Sequence, residues 1–214
     1  MENFDLVRIL EFLPGIIIGL TVHEFCHALV ALKCGDSTAR DQGRITLNPL
    51  KHIDPIGFLM LIIAGFGWAK PVQFNEQNLR NPKADVIKIA LAGPLSNAVI
   101  AMVISIAFVL LFPLSHPVLS PTLLIVQEIL WYGISINWAL FIFNLIPLPP
   151  LDGSHLLLSV FKKHPAVYNG IYRYGSFLLL GLVIASMVTK IDFLPISPVI
   201  EFFVRGFLSI LGYN

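Results

Sequence analysis

Charge is what this sequence has least of. Only 13% of its 214 residues are Asp, Glu, Lys or Arg, where an ordinary soluble domain carries about a quarter. With 56% hydrophobic residues and a mean hydropathy of +0.80, the composition excludes a soluble globular protein and leaves little room for a separate soluble domain. Cysteine is almost as scarce. Cys26 and Cys34 are the two present, too few for a disulfide framework, so a reduced, cytosol-facing environment is the simpler expectation. The N-terminus has neither the short cationic leader nor the small-residue cleavage site of a signal peptide. No internal repeat and no low-complexity tract interrupts the chain. The formal net charge of +1 decides nothing about partners. A lipid bilayer is expected around the chain, and nucleic acid is not expected as a partner.

What is present is a series of long apolar runs. Four stretches reach or approach the ~20 apolar residues of a spanning helix: 10–32, 86–112, 121–147 and 174–190. A fifth, 194–212, is interrupted by Pro195, Pro198, Glu201 and Arg205. The apolar stretch Ile56 to Ala69 has only 14 residues, three of them glycine, and reads as a re-entrant or partly inserted segment. Residues 43–48 and 70–75 alternate polar and apolar side chains and end in turn formers, which predicts two short strands. The expected fold is therefore an all-α polytopic membrane protein with about 4–6 membrane-embedded segments, a re-entrant segment and short cytoplasmic-side β-strands. One membrane-embedded domain is expected over 1–214, with its core at 10–160 and C-terminal helices at 174–212.

The cations fix an orientation. Lys33, Arg40, Arg44 and Lys51 precede the short apolar segment, and Lys70, Arg80, Lys83 and Lys88 follow it. Both flanks are therefore expected to be cytoplasmic, so that the segment enters and leaves on one side. The loop 113–120 has no Lys or Arg and is expected outside, whereas 148–174 carries Lys162, Lys163 and Arg173 and is expected inside. That parity puts the N-terminus outside.

Phe12 to Leu32 is almost wholly apolar apart from Thr21 and the run His23-Glu24-Phe25-Cys26-His27. Two imidazoles and a carboxylate in hydrocarbon are costly and by default mark a functional site. Residues four apart lie on one helix face, so His23 and His27 can converge on one metal ion, and Glu24 can reach a water bound to it. This is the arrangement of a zinc hydrolase, here placed in a bilayer. A catalytic zinc takes three protein ligands and keeps one position open, so a third ligand is required at the same depth. Asp152 follows the cytoplasmic end of the 121–147 span, after Pro147, Pro149 and Pro150 have broken its helix. The orientation argument independently sets the two histidines toward the cytoplasmic end of the first span.

The set resembles the site-2 protease family of intramembrane zinc metalloproteases. The resemblance rests on His23-Glu24-x-x-His27, on Gly93-Pro94-Leu95-Ser96-Asn97, and on Asn144-x-x-Pro147 leading to Leu151-Asp152-Gly153. Residues 47–57 and 67–72 are similar to the compact bacterial and archaeal branch, and the match runs over residues 15–160. Compared with many members, the chain lacks a PDZ insertion and a cystathionine-synthase-like (CBS) domain and begins directly with the motif-bearing helix, so regulation through an attached domain is not expected. The resemblance implies that His23, His27 and Asp152 bind one zinc ion, that Glu24 is the general base, and that Asn144 and Asn97 are polar residues near the cleft.

Chemistry follows from the same residues. Zinc held by these residues would supply an acidified water, Glu24 would take its proton and later give it to the leaving amine, and Asn144 could steady the oxyanion or hold the substrate backbone. A helical substrate must unwind first, and the two predicted strands are candidates to capture it by strand addition. The expected protein is thus a metalloendopeptidase that cleaves transmembrane proteins within or beside their spans, in the plasma membrane of a prokaryote, with its active site toward the cytoplasm. A catalytically silent relative with a binding or chaperone-like role is the alternative. A metal transporter would need ligands spread along a path through several spans, and here they gather at one end.

Plainer roles are expected for the remaining polar residues. Asn137 is structural, and Cys26 is a packed thiol off the ligand face. His155 begins the segment after Asp152 rather than binding metal, His52 is a loop residue, and His116 and His164 face solvent. Glu11 and Glu128 sit near helix ends. No residue selects a particular substrate or oligomeric state.

Overall fold

A computed structural model describes residues 6–64, 67–113, 120–161, 164–189, 191 and 193–213. In chain order the helices are α1 (Leu6–Lys33), α2 (Thr38–Asp41), α3 (Pro55–Ala64), α4 (Pro82–Leu111), α5 (Pro121–Asn144), α6 (Gly153–Phe161), α7 (Pro165–Thr189) and α8 (Ile196–Ile210). Helix starts follow local chemistry. Asn81 caps α4 by accepting from Ala84 N–H, Ser120 caps α5 by accepting from Leu123 N–H, and each helix has proline at its first position. Within the described residues α1, α4 and α5 are long and apolar enough to cross a membrane.

These three helices pack on one another and form the centre of the molecule. Glycine lets two of them meet at backbone distance. A Cβ added to Gly15 on α1 would lie 2.8 Å from the Cα of Gly133 on α5, the close approach that small residues permit between membrane helices. One buried cluster, including Ala101, Phe108, Ile134 and Trp138, joins α4 to α5 and takes in Val204 and Leu208 of α8. A second, of Ala31, Cys34, Leu79, Val86 and Ile89, ties the end of α1 to the start of α4. The histidine pair lies on α1 one to two turns before Ala31 of this second cluster.

The structure corrects the strand prediction. Among the described residues no strand forms, and an isolated antiparallel bridge joins Ile53 to Ala69. Pairing stops after Lys70, whose N–H donates to the His52 carbonyl at 2.7 Å, because carboxylates take the next N–H groups: Val72 donates to Glu24 Oε2 at 2.8 Å and Asn75 to Asp36 Oδ2 at 2.9 Å. In 43–48, Arg44 turns inward and donates to the Lys70 carbonyl, while Asn48 N–H folds back onto Thr46 Oγ1. Strand addition at these two segments therefore has no strand to start from.

Further differences lie in the C-terminal half. α7 covers the expected span at 174–190 but starts at Pro165. Its first turns carry Tyr168, Asn169, Tyr172, Arg173 and Tyr174, and by length and composition only α1, α4 and α5 qualify as spans among the described residues. α8 has 15 residues, too few to cross a bilayer upright. Its prolines do not interrupt it, because Pro195 is the cap and Pro198 falls in the first turn, where a missing N–H costs nothing. The loop expected at 148–174 instead contains α6, which begins directly after Asp152.

α3 has 10 residues. The Ile53–Ala69 bridge closes the chain behind it, so the segment returns to the point where it left. His116, the cations Lys162 and Lys163, and most of the 113–120 loop lie outside the described residues.

Candidate metal centre

α1 carries His23 and His27 on one face, and the fold brings Asp152 to them from the turn between α5 and α6. α5 stops at Asn144, and Leu145 to Leu151 form a series of turns around Pro147, Pro149 and Pro150. The Nε2 atoms of the two histidines are 2.9 Å apart. Asp152 Oδ2 lies 3.1 Å from the first and 3.3 Å from the second. Tetrahedral zinc, with bonds of about 2.0–2.1 Å, sets its ligand atoms roughly 3.3 Å apart. The three measured separations are edges of nearly that size.

Proton positions test whether a cation fits. His27 Nδ1 is 2.7 Å from the carbonyl of Ile89, which can only accept, so Nδ1 carries the hydrogen and Nε2 presents its lone pair. His23 Nδ1 is 2.7 Å from Asn97 Oδ1. The Asn97 amide cannot turn over, because its Nδ2 donates to Gly19 O and Asn137 Oδ1, both at 3.1 Å. His23 is thereby fixed in the same tautomer. Two lone pairs and a carboxylate oxygen then point at one another, and buried Asp152 Oδ2 has no hydrogen-bond donor. Such a group is repulsive unless a cation sits among it. The donor set of two imidazoles and one carboxylate is that of a catalytic zinc site.

α4 supplies the wall behind the imidazoles. A Cβ on Gly93 would fall 2.6 Å from His23 Nε2 and onto His27 Nε2, so only glycine leaves the ligand atoms their room. Asn137 extends the support, accepting from Asn97 and donating to Gly133 O at 2.8 Å and Gly15 O at 3.4 Å. A buried amide relay thus runs from α5 through α4 to His23.

Glu24 lies in the same cavity, 7% exposed. Its Oε2 accepts from Val72 N–H at 2.8 Å and stands 3.9 Å from Arg44 Nη2. Arg44 is itself buried and donates to the Lys70 carbonyl. Burial holds the Arg44 guanidinium below its ordinary value, and the facing Glu24 carboxylate opposes that shift. The cavity has a volume of about 470 Å³, and Asn144 lines it together with His23, Glu24, His27 and Asp152. Asn144 Nδ2 donates to the Leu140 carbonyl at 2.9 Å.

Asn97 is fully buried and reaches the site through His23 rather than through the cleft. His155 lies at the rim, its ring 6.0 Å from that of Phe74, and does not join the three clustered ligand atoms. His52 is buried and bonds Thr46 O at 2.8 Å, which organises its loop. His164 and Glu128 are exposed, and Cys26 is half-buried. The sequence argument used Gly93 only as part of a motif and Arg44 only as a basic flank, and it gave neither of them, nor the Ile89 carbonyl or the Val72 N–H, a place at the metal centre. A glycine four residues before Asn97 was the one local hint of close packing.

The chain is similar to several known proteins. A Methanocaldococcus jannaschii protein named "Putative zinc metalloprotease MJ0611" is 30% identical over 156 residues, covering 72% of this chain and 73% of its own. The family model described as Peptidase family M50 matches residues 114–182. The chain belongs to peptidase family M50, the site-2 protease family. The M50 model match includes Asn144 and Asp152, while His23, Glu24 and His27 lie before it. "Putative zinc metalloprotease YwhC" of Bacillus subtilis is 40% identical over 142 residues, 66% of this chain and 65% of its own length. "Putative zinc metalloprotease Rip2" of Mycolicibacterium smegmatis is 32% identical over 150 residues, 66% of this chain and 53% of its own length. The chain thus spans between half and two thirds of these two M50 relatives. No solved structure matches it. The M50 family is zinc-dependent, and its apolar helices make this member an integral membrane protein.

Proposed function

We propose that this M50 chain is an intramembrane zinc metalloprotease that hydrolyses peptide bonds of membrane-protein substrates within or beside their transmembrane segments. The observation that carries the reading is the convergence of His23 Nε2, His27 Nε2 and Asp152 Oδ2 next to the buried carboxylate of Glu24. Zinc held there would supply an acidified water and a polarised substrate carbonyl. Glu24 takes the proton of the attacking water as its oxygen bonds to the carbonyl carbon, and returns a proton to the amine nitrogen as the C–N bond breaks. Asn144 Nδ2 carries two hydrogens, one of them committed to Leu140 O. The second serves the developing oxyanion or the substrate backbone.

The membrane placement completes the reading. The basic flanks of α3 support a metal centre toward the cytoplasmic side, in what we read as the plasma membrane of a prokaryote, and the Ile53–Ala69 bridge supports α3 as a re-entrant segment. α7 then adds a further crossing to α1, α4 and α5, with residues 1–214 acting as one membrane-embedded unit.

Zinc analysis and cleavage of reconstituted transmembrane substrates by the Glu24→Gln and Asp152→Asn proteins test this. A protease keeps its zinc and loses cleavage in the first, and loses both in the second. Undiminished cleavage by Glu24→Gln would sink the mechanism. Absence of cleavage in the unaltered, zinc-loaded protein would favour the chaperone-like alternative.

A further inference from the structure

A second cavity adjoins the metal centre, deeper along the helices. Its volume is about 300 Å³, and among the described residues only apolar or aromatic side chains and glycine line it. α1 contributes Ile17 and Leu20, α3 contributes Phe58 and Leu61, and α5 contributes Ala139 and Phe143. Leu20, Trp68, Leu140 and Phe143 are walls of this cavity and of the catalytic one. On α5 the wall special to this cavity is Ala139 and the one special to the catalytic cavity is Asn144, so the two adjoining spaces are displaced along the helix by on the order of one turn, about 5.4 Å.

Size decides what can enter. One turn of helix with its side chains is a cylinder about 10–12 Å wide and 5.4 Å tall, on the order of 400–600 Å³. A helix of that width would have to fit between α1, α3 and α5, so the cavity takes side chains rather than an intact helix. An unwound segment advances ~3.3 Å per residue. With its scissile carbonyl at the metal, a residue one or two positions away has its side chain level with the cavity. Burial of a polar side chain there would find no partner.

Resting on the metalloprotease reading above, we infer that this cavity is the specificity pocket of the site. It accepts a large apolar side chain, of leucine, methionine or phenylalanine size, beside the scissile bond of the unwound substrate. Ala139 sets its depth from the α5 side, and Leu61 closes it from α3. Neither residue lines the catalytic cavity.

Binding of N-acyl amino-acid hydroxamates to the purified, zinc-loaded full-length protein tests the pocket, because the hydroxamate group anchors on the metal and only the side chain varies. The leucine and phenylalanine compounds are expected to bind at least about tenfold tighter than the glycine compound, the discrimination an apolar pocket gives per methylene or more. Ala139→Leu should erase that preference while leaving zinc content and glycine-hydroxamate affinity unchanged. Leu61→Ala should shift the preference toward a naphthylalanine side chain. Equal binding of all the compounds to the unaltered protein overturns the pocket and leaves the metal centre standing. A lipid that co-purifies with the protein, is lost in Ala139→Leu, and leaves the hydroxamate preference intact also overturns it. Failure of every hydroxamate to bind overturns the metal-centre reading, and the pocket with it.

Discussion

Asn97 Oδ1 accepts the Nδ1 hydrogen of His23 at 2.7 Å, and neither residue is free to turn. Asn97 is held by Gly19 and Asn137 on one side, and His23 is packed against Gly93 on the other. The bond fixes which imidazole nitrogen faces Asp152. Partners of this kind, one step out from a metal ligand, are typically worth 10–100-fold in metal affinity. Asn97→Ala is therefore expected to weaken zinc binding by about that factor in chelator-competition titrations. Asn97→Asp, which retains an acceptor, should recover part of the loss. Unchanged zinc affinity in Asn97→Ala would show that the ring needs no such support.

Gly93 makes a sharper case, because the space it leaves is filled by both imidazoles at once. A methyl group there meets His23 Nε2 and His27 Nε2, the two atoms proposed to bind zinc. The smallest possible change, Gly93→Ala, should abolish stoichiometric zinc binding while leaving helix content unchanged by circular dichroism. Full zinc occupancy in that variant would mean the ligand atoms point elsewhere when the metal is bound.

How much of this was legible beforehand depends on the range of each signal. The histidine pair could be read because helix geometry is local, and four residues of spacing fix a face. Asp152 could be read because proline punctuation and the placement of basic residues brought two helix ends to one depth. The Asn137–Asn97–His23 relay could not, since it runs between three helices and leaves no period in any one of them. The strand prediction failed for a related reason. Alternation in 70–75 was real, but Glu24 and Asp36, 48 and 39 residues earlier, claim the N–H groups that a strand partner would use.

Arg44 follows from the same long-range arrangement. It is 5% exposed, ties the Lys70 carbonyl to the Glu24 carboxylate, and so fastens the segment that crosses in front of the site. Replacing it with methionine takes the charged donor from the Lys70 carbonyl and the countercharge from the buried Glu24 carboxylate, a loss of roughly 1–3 kcal/mol. A lower melting temperature is expected for Arg44→Met. Arg44→Lys should not restore it, because an ammonium group lacks the fork that reaches two acceptors. Equal melting temperatures for the lysine variant and the unaltered protein would reduce Arg44 to a simple countercharge.

Asp36 anchors the other end of that segment, and its contribution depends on pH with a definite sign. Burial pushes its carboxyl up, but hydrogen bonds from Thr38 Oγ1, Asn78 Nδ2 and the backbone N–H groups of Asn75 and Thr38 outweigh burial and hold it below the ordinary value. A carboxylate depressed in the folded state binds protons less readily there than when unfolded. Its stabilisation is complete above the unfolded pKa of about 3.9 and is lost as pH falls below that, toward the lowered folded value. Thermal melts of Asp36→Asn and the unaltered protein should therefore differ most between pH 5 and 7, with the variant less stable, and should converge as pH drops below about 3.9. A gap that stayed constant down to the lowest pH at which the protein remains folded would mean that Asp36 acts through packing alone, without its charge.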